Sequence, residues 1–302
     1  MVSGVWSCYA EGWRRVRRHF RVVWLFYVPG LVLAYFASMP LGKALQRSIG
    51  HSLASDRVAA ELSLRFLGDL AYEHAGLFPT LFALAATGAA IYLLTVTFLL
   101  GGAVRSLLLP EPRPVFEVLS DGARFFGCFL RLFLISLPAY AAAIGVGFLV
   151  GKGLVALFSL SASPGAWVCA RVLAVLGILS GLWFVNLVFD YAKLLAVRHE
   201  EHRARGALRE AVGFLFSGRF WRAAGLYGLV LLTGALALGM YNLGAAVLDG
   251  PAPARIALLI VWQQLFILIR VVVKLLFYGA QASLMGWAEP RMEPVEPAGF
   301  LA

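Results

Sequence analysis

The chain has 302 residues, 61% of them hydrophobic and only 14% charged, with a formal net charge of +10. So few charges cannot clothe a folded domain of this size in water, which excludes a soluble globular protein and makes the bilayer the main solvent. The cations gather at the ends of apolar runs and accompany no nucleic-acid motif, so membrane lipids are the expected partners and nucleic acid is not.

In chain order, Glu11-Gly12 opens a stretch of arginines and aromatics, Trp13 to Phe20, followed by an apolar run over 22–42 that contains Pro29. Five arginines before that run also fit a secretory signal. The run is long, however, and Ala37-Ser38-Met39 is a poor cleavage site, so a first transmembrane helix is expected. The outer segment 43–78 carries Arg57, Glu61, Arg65, Asp69 and Glu73 at every fourth position beside Val58, Leu62, Phe66 and Leu70, the pattern of an amphipathic helix. Further apolar runs cover 80–100, 126–150, 167–189, 220–247 and 256–277. Each is about the 20 residues needed to cross a hydrocarbon core, and lipid offers backbone amides no partner, so all six are expected to be helices.

Seventeen cations fall in the connections on one side, from Arg14 to Arg21, Arg105 to Arg131, Lys193 to Arg222 and at Arg291, against seven on the other. The asymmetry places both termini in the cytoplasm. The three cysteines give no disulfide framework; Cys8, Cys128 and Cys169 are expected to be small apolar fillers.

The elements recur. Glu11-Gly12, Asp121-Gly122 and Glu210-Ala211 each open a basic aromatic stretch and then a span, and Ala103, Ala192 and Ala280 each stand just past a second span. Ala103 to Asp121 and Ala192 to Glu210 are both eighteen residues. The expected fold is all-α, a polytopic membrane protein whose six transmembrane helices form three parallel two-helix repeats over 11–103, 121–192 and 210–280. A cytoplasmic interfacial amphipathic helix is expected before each repeat's first span. Segment 43–78 is an insertion in the first repeat, and 287–302 is a short cytoplasmic tail. Pro29, Pro138 and Gly228 fall at matching depth, where the odd spans are expected to bend. Small residues at Ala139, Ala143, Gly147 and Gly151, and at Gly177 and Gly181, predict close packing within the second hairpin.

The last span carries the sharpest chemical feature. Gln263, Arg270, Lys274 and Gln281 are seven, four and seven residues apart, which keeps them within roughly 40° of one helix face at about 100° per residue. An ionised group at mid-depth costs about 2.5 kcal/mol or more unless water or a counter-charge answers it. The stripe is therefore expected to face the bundle interior, with Gln264 beside it. Asn186 and Asp190 on the fourth span fall near Lys274 in the repeat register, and Lys274 is expected to reach toward Asp190. Arg270, Lys274, Gln263, Asn186 and Asp190 are the candidate ligand-binding residues, and a cation without its own carboxylate suggests an anionic or amphiphilic ligand.

His199-Glu200-Glu201-His202 lacks the spacing of a zinc protease and reads as a solvated linker, so no metal is expected. No phosphate loop, nucleophile elbow or carboxylate pair appears, so neither an enzyme activity nor a cofactor is expected.

Leu99-Leu100-Gly101-Gly102-Ala103, the segment from Asp121 to Leu137, and Asp190 followed by the stretch from Ala207 to Phe216 resemble the YciC-like membrane proteins and the membrane domains joined to some glycerophosphodiester phosphodiesterases. The resemblance implies a six-span protein of the bacterial inner membrane and supplies no catalytic residues; the phosphodiesterase domain itself is absent from this sequence. The leading functional expectation is a binding or transport module for an anionic or amphiphilic small molecule or lipid. The alternative is a non-catalytic membrane assembly or envelope-maintenance factor.

Overall fold

Long uninterrupted apolar stretches become long helices because, away from water, only the intrahelical ladder satisfies the backbone. A computed structural model describes residues 4–49, 72, 76–158, 164–200, 203–250 and 252–286. Among them the chain forms α1 (Val5–Arg18), α2 (Arg21–Ile49), α3 (Leu77–Leu108), α4 (Val115–Phe158), α5 (Pro164–Arg198), α6 (Ala204–Phe214), a wide turn at Leu215–Arg219, α7 (Phe220–Leu248) and α8 (Pro253–Leu284). No strand occurs among the described residues. Six helices are long and apolar enough to cross a membrane, so the protein is a multi-pass helical membrane protein. The charged row from Arg57 to Glu73 and the tail 287–302 with Arg291 lie outside the described residues.

The helices run continuously through Pro29 and Pro138. Two odd spans are preceded by a separate helix, and the third is not. The chain breaks after α1 at His19, whose ψ of 32° leaves the helical region, and again before α7, where Gly218 adopts φ 80°. In contrast, α4 runs 44 residues without interruption, about 66 Å at 1.5 Å per residue and twice the hydrocarbon thickness. Nothing between Asp121 and Leu137 supplies a turn conformation, and Gly127 sits inside the helix. The stretch expected as an interfacial helix is there the first part of one rod, burying Val118, Phe125, Phe129 and Leu132 at helical spacing.

Two compact units are formed. The first comprises Met1–His19, Leu100–Val230 and Leu276–Ala302, and it holds most of the buried side chains. Small residues set its close contacts. A Cβ on Gly12 of α1 would lie 2.9 Å from both the Cβ and the backbone nitrogen of Ala280 on α8, and one on Gly102 of α3 would lie 1.8 Å from the Val118 carbonyl oxygen on α4. Ala103, Ala192 and Ala280 are all fully buried. Tyr191 stacks on Phe214 at 5.3 Å, fixing the end of α5 to α6. Along the second hairpin, Gly151 faces Ala174, Gly147 faces Ile178 and Gly181 faces Ala143, so the expected close packing occurs within the chain. Cys8 packs with Leu226 and Ala280, and Cys128 is buried, as apolar fillers would be; Cys169 is exposed.

Several basic residues cap helix ends. The last carbonyls of a helix lack intrahelical donors, and here Arg15 donates to Leu107 O at 3.1 Å, Arg18 to Pro110 O at 2.9 Å, and His19 Nε2 meets Leu109 O at 3.2 Å, all at the C-terminal end of α3. Arg198 likewise donates to Met285 O beyond α8. Cations at helix C-termini also complement the helix dipole.

The second unit comprises Phe20–Leu99 and Leu231–Leu275. Its buried apolar residues among those described are Val22, Val23, Phe26, Leu99 and Leu275. The hairpin of α7 and α8 is keyed by Trp262, which covers Gly244 and donates to Tyr241 O at 3.0 Å, and by Tyr241 stacked on Phe266 at 4.4 Å. So sparse a core leaves the walls of α2, α3 and α8 open.

Candidate functional site

Between those walls lies a cleft of about 450 Å³ within the second unit. α2 contributes Tyr27, Gly30 and Ala34, α3 contributes Gly88 and Tyr92, and α8 contributes Gln263, Gln264 and Arg270. The small residues follow helical spacing, so they leave a trough where larger side chains would meet. Tyr27 donates its hydroxyl proton to Gln264 Oε1 at 2.8 Å. That bond engages the amide oxygen and leaves the amide nitrogen as a donor.

Arg270 stands seventeen residues from the start of α8 and fourteen from its end, roughly 25 Å and 21 Å along the axis. It makes no hydrogen bond or ion pair among the described residues, and no carboxylate lines the cleft among them. The stripe is graded in burial: Gln263 and Arg270 are exposed, Lys274 is half-buried and Gln281 is buried. The expectation that the whole stripe faces the bundle interior therefore fails for Gln263 and Arg270, which line an open cleft and are not enclosed by neighbouring helices; Gln281 alone is buried. Lys274 lies over the Phe26 ring at 5.4 Å, a cation–π contact. Gln281 belongs to the first unit, where its amide has no hydrogen-bond partner among the described residues.

Asn186 and Asp190 sit in the first unit, in a polar cluster spread over four helices. Asp190 accepts from Lys193 Nζ at 3.0 Å, one turn along α5, and from the Tyr278 hydroxyl at 3.0 Å. Asn186 accepts from Tyr140 at 2.9 Å and donates to the Tyr227 hydroxyl. Tyr227 in turn packs edge-on to Trp183. Asp190 is buried and answered by protein groups, so a ligand would have to displace them. The five candidate residues therefore divide: Arg270, Gln263 and Lys274 in one unit, Asn186 and Asp190 in the other.

Sequence reasoning passed over Tyr27, Tyr140, Lys193, Tyr227 and Tyr278. A tyrosine within a span is an ordinary interfacial residue by composition, and only its partner across the bundle gives it a role. Lys193 alone carried a signal, at three residues from Asp190 on one helix face.

On the linker, Glu200 reaches Arg105 at 2.9 Å and Arg124 at 2.7 Å, and Arg105 also approaches Asp121 at 3.6 Å. The hydrogen bond from Arg105, with the charge of Arg124, holds the Glu200 carboxyl below its ordinary value. His199 pairs with Glu210 at 3.1 Å; Glu201 and His202 lie outside the described residues. A second cleft, of about 370 Å³, runs between α4 and α5 past Ala139, Gly147 and Gly181, and its lining is apolar throughout. No polar group there selects a ligand.

No family model, curated protein or solved structure matches the chain.

Proposed function

We propose that the protein is a membrane-embedded binding or transport module for an anionic or amphiphilic small molecule or lipid, with Arg270 as its electrostatic contact. The single observation that carries this reading is a mid-helix guanidinium opening onto a cleft that holds hydrogen-bond donors and, among the described residues, no carboxylate. A cation at that depth is costly unless something answers it, and intramembrane charges commonly mark ligand pathways. The reading includes a bacterial inner-membrane location with both termini cytoplasmic, a non-catalytic role, and three parallel two-helix repeats. The repeat rests on the sequence spacing; in the first unit the opening of the first repeat meets the end of the third at Gly12 and Ala280, and the end of the first meets the opening of the second at Gly101 and Gly122. The anion contact rests on the chain's own residues; the bacterial inner-membrane location rests on the resemblance to YciC-like proteins.

The test is replacement of Arg270 with leucine. Binding of small anions to the purified protein should fall by tenfold or more while insertion and yield stay unchanged, because the residue is exposed and makes no hydrogen bond or ion pair among the described residues. Unaltered anion binding in a well-expressed R270L protein removes the basis for a site. The saturated cluster around Asn186 and Asp190 favours the second reading, an assembly or envelope-maintenance factor whose polar groups hold helices together.

A further inference from the structure

We infer that the Arg270 cleft takes a monoanionic amphiphile with a single apolar chain, the head meeting Arg270 and Gln264 and the chain lying along the small residues of α2 and α3. The inference rests on the reading of Arg270 as an anion contact and adds the class of ligand.

Charge fixes the head. One guanidinium lines the cleft and no other ionised side chain does among the described residues. A dianionic phosphate monoester would bring one charge more than the site answers, and an uncompensated charge in a low-dielectric setting is strongly disfavoured. A neutral chain would leave Arg270 unanswered. Hydrogen bonding agrees: arginine only donates, and with Oε1 held by Tyr27 the Gln264 amide also offers its N–H groups. The complement is an acceptor with one negative charge, either a carboxylate or a phosphodiester.

Shape fixes the tail. From Tyr27 to Ala37 the cleft follows α2 for ten residues, about 15 Å. Gly30, Ala34 and Ala37 recur on one face of α2, while Ala85, Gly88 and Ala89 face them from α3. A trough of about 450 Å³ falls in the range of sites that enclose one drug-sized ligand, room for one chain and not for two. A small free anion would leave these apolar walls unused.

The experiment uses the full chain in nanodiscs of zwitterionic lipid and measures tetradecanoate binding by native mass spectrometry and calorimetry. Acetate, tetradecanol, tetradecanoyl lysophosphatidylglycerol and dimyristoyl phosphatidylglycerol are compared, in wild type, R270L and G88L. A Cβ at position 88 enters open space, so Gly88→Leu fills the trough without disturbing the fold. Tetradecanoate or the lysolipid should bind at least tenfold more tightly than acetate and tetradecanol, and the stronger of the two identifies the source of the head. R270L should lose that binding tenfold or more. G88L should lose the long-chain ligand and keep acetate. Equal binding of acetate and tetradecanoate, both lost in R270L, would overturn the amphiphile while leaving the anion contact standing. Equal binding of tetradecanol or of the two-chain lipid would overturn the single charged chain. Binding indifferent to Arg270 in every arm would overturn both readings.

Discussion

Gly102→Ala isolates the geometry on which the first unit depends. Two effects oppose each other. In an unobstructed helix alanine is favoured over glycine by up to about 1 kcal/mol. Here the new methyl would sit 1.8 Å from the Val118 carbonyl oxygen, 2.8 Å from its carbon and 3.0 Å from Cγ1. The nearest atoms are backbone, so no rotamer change relieves the overlap. To reach even the roughly 3.3 Å of a close C–H···O contact, α3 must withdraw from α4 by on the order of 1.5 Å. A gap of half to one ångström already forfeits about a quarter to a half of a dispersion contact, and the neighbours affected include fully buried Ala103, Val104 and Phe125. Overpacking of this kind costs typically about 1–3 kcal/mol, and a backbone obstacle puts the cost at or beyond the upper end. The expected net loss is about 2 kcal/mol after the helical gain.

The buried thiols supply the assay. In a C169S background, Cys8 and Cys128 are both buried, so a thiol-reactive dye reports thermal opening in detergent. Gly145→Ala is the control, since its Cβ meets nothing within 4 Å, and it should match or exceed the background in stability. A G102A protein as stable as G145A would refute the account of the α3–α4 contact.

Three further outcomes follow from other contacts. Gly12→Ala should lower the same midpoint, and adding Ala280→Gly should restore part of the loss, because the Cβ clash is removed while the one with the Ala280 backbone nitrogen remains; a strictly additive double mutant would contradict direct contact. Asp190→Leu leaves Lys193 facing Tyr278 without its carboxylate and should cost about 3 kcal/mol, at the lower end for a broken buried pair since Lys193 is partly exposed. Adding Lys193→Met should recover most of that loss, and failure to do so would show that the pair is not what the stability reads. Burial, more than the nearby Arg18 and Arg15, lowers the His19 pKa below its ordinary 6.5, against a raising contribution from the Leu109 carbonyl. The unfolded chain then binds the proton first, so stability is fully present above pH 6.5 and lost as pH falls through the lowered folded value. His19→Gln should flatten this slope in a pH series of thermal midpoints; an unchanged slope would assign it to another group.

Composition and run length were enough to determine that this is a helical membrane protein with six spans, because the cost of an unpaired backbone amide in lipid leaves no other solution. The small residues of the second hairpin were legible for the same local reason: a missing side chain on one face invites a neighbouring helix. The polar stripe was legible as a periodicity, Gln263, Arg270, Lys274 and Gln281 being fixed on one face by helix geometry alone.

What surrounds that face was not legible. Whether Arg270 meets a wall, a carboxylate or an open trough depends on residues more than 170 positions away on α2 and α3, and only packing decides which of them come near. That Lys193 and Tyr278 both donate to Asp190 was equally hidden, since Tyr278 lies 88 positions further along the chain. Likewise α4 continues where a break was expected, since a helix ends only where a residue such as Gly218 departs from helical φ and ψ. Local spacing thus determined which residues share a face; the tertiary structure alone decided what each face meets, because long-range contact depends on how whole helices pack and not on the order of residues within one.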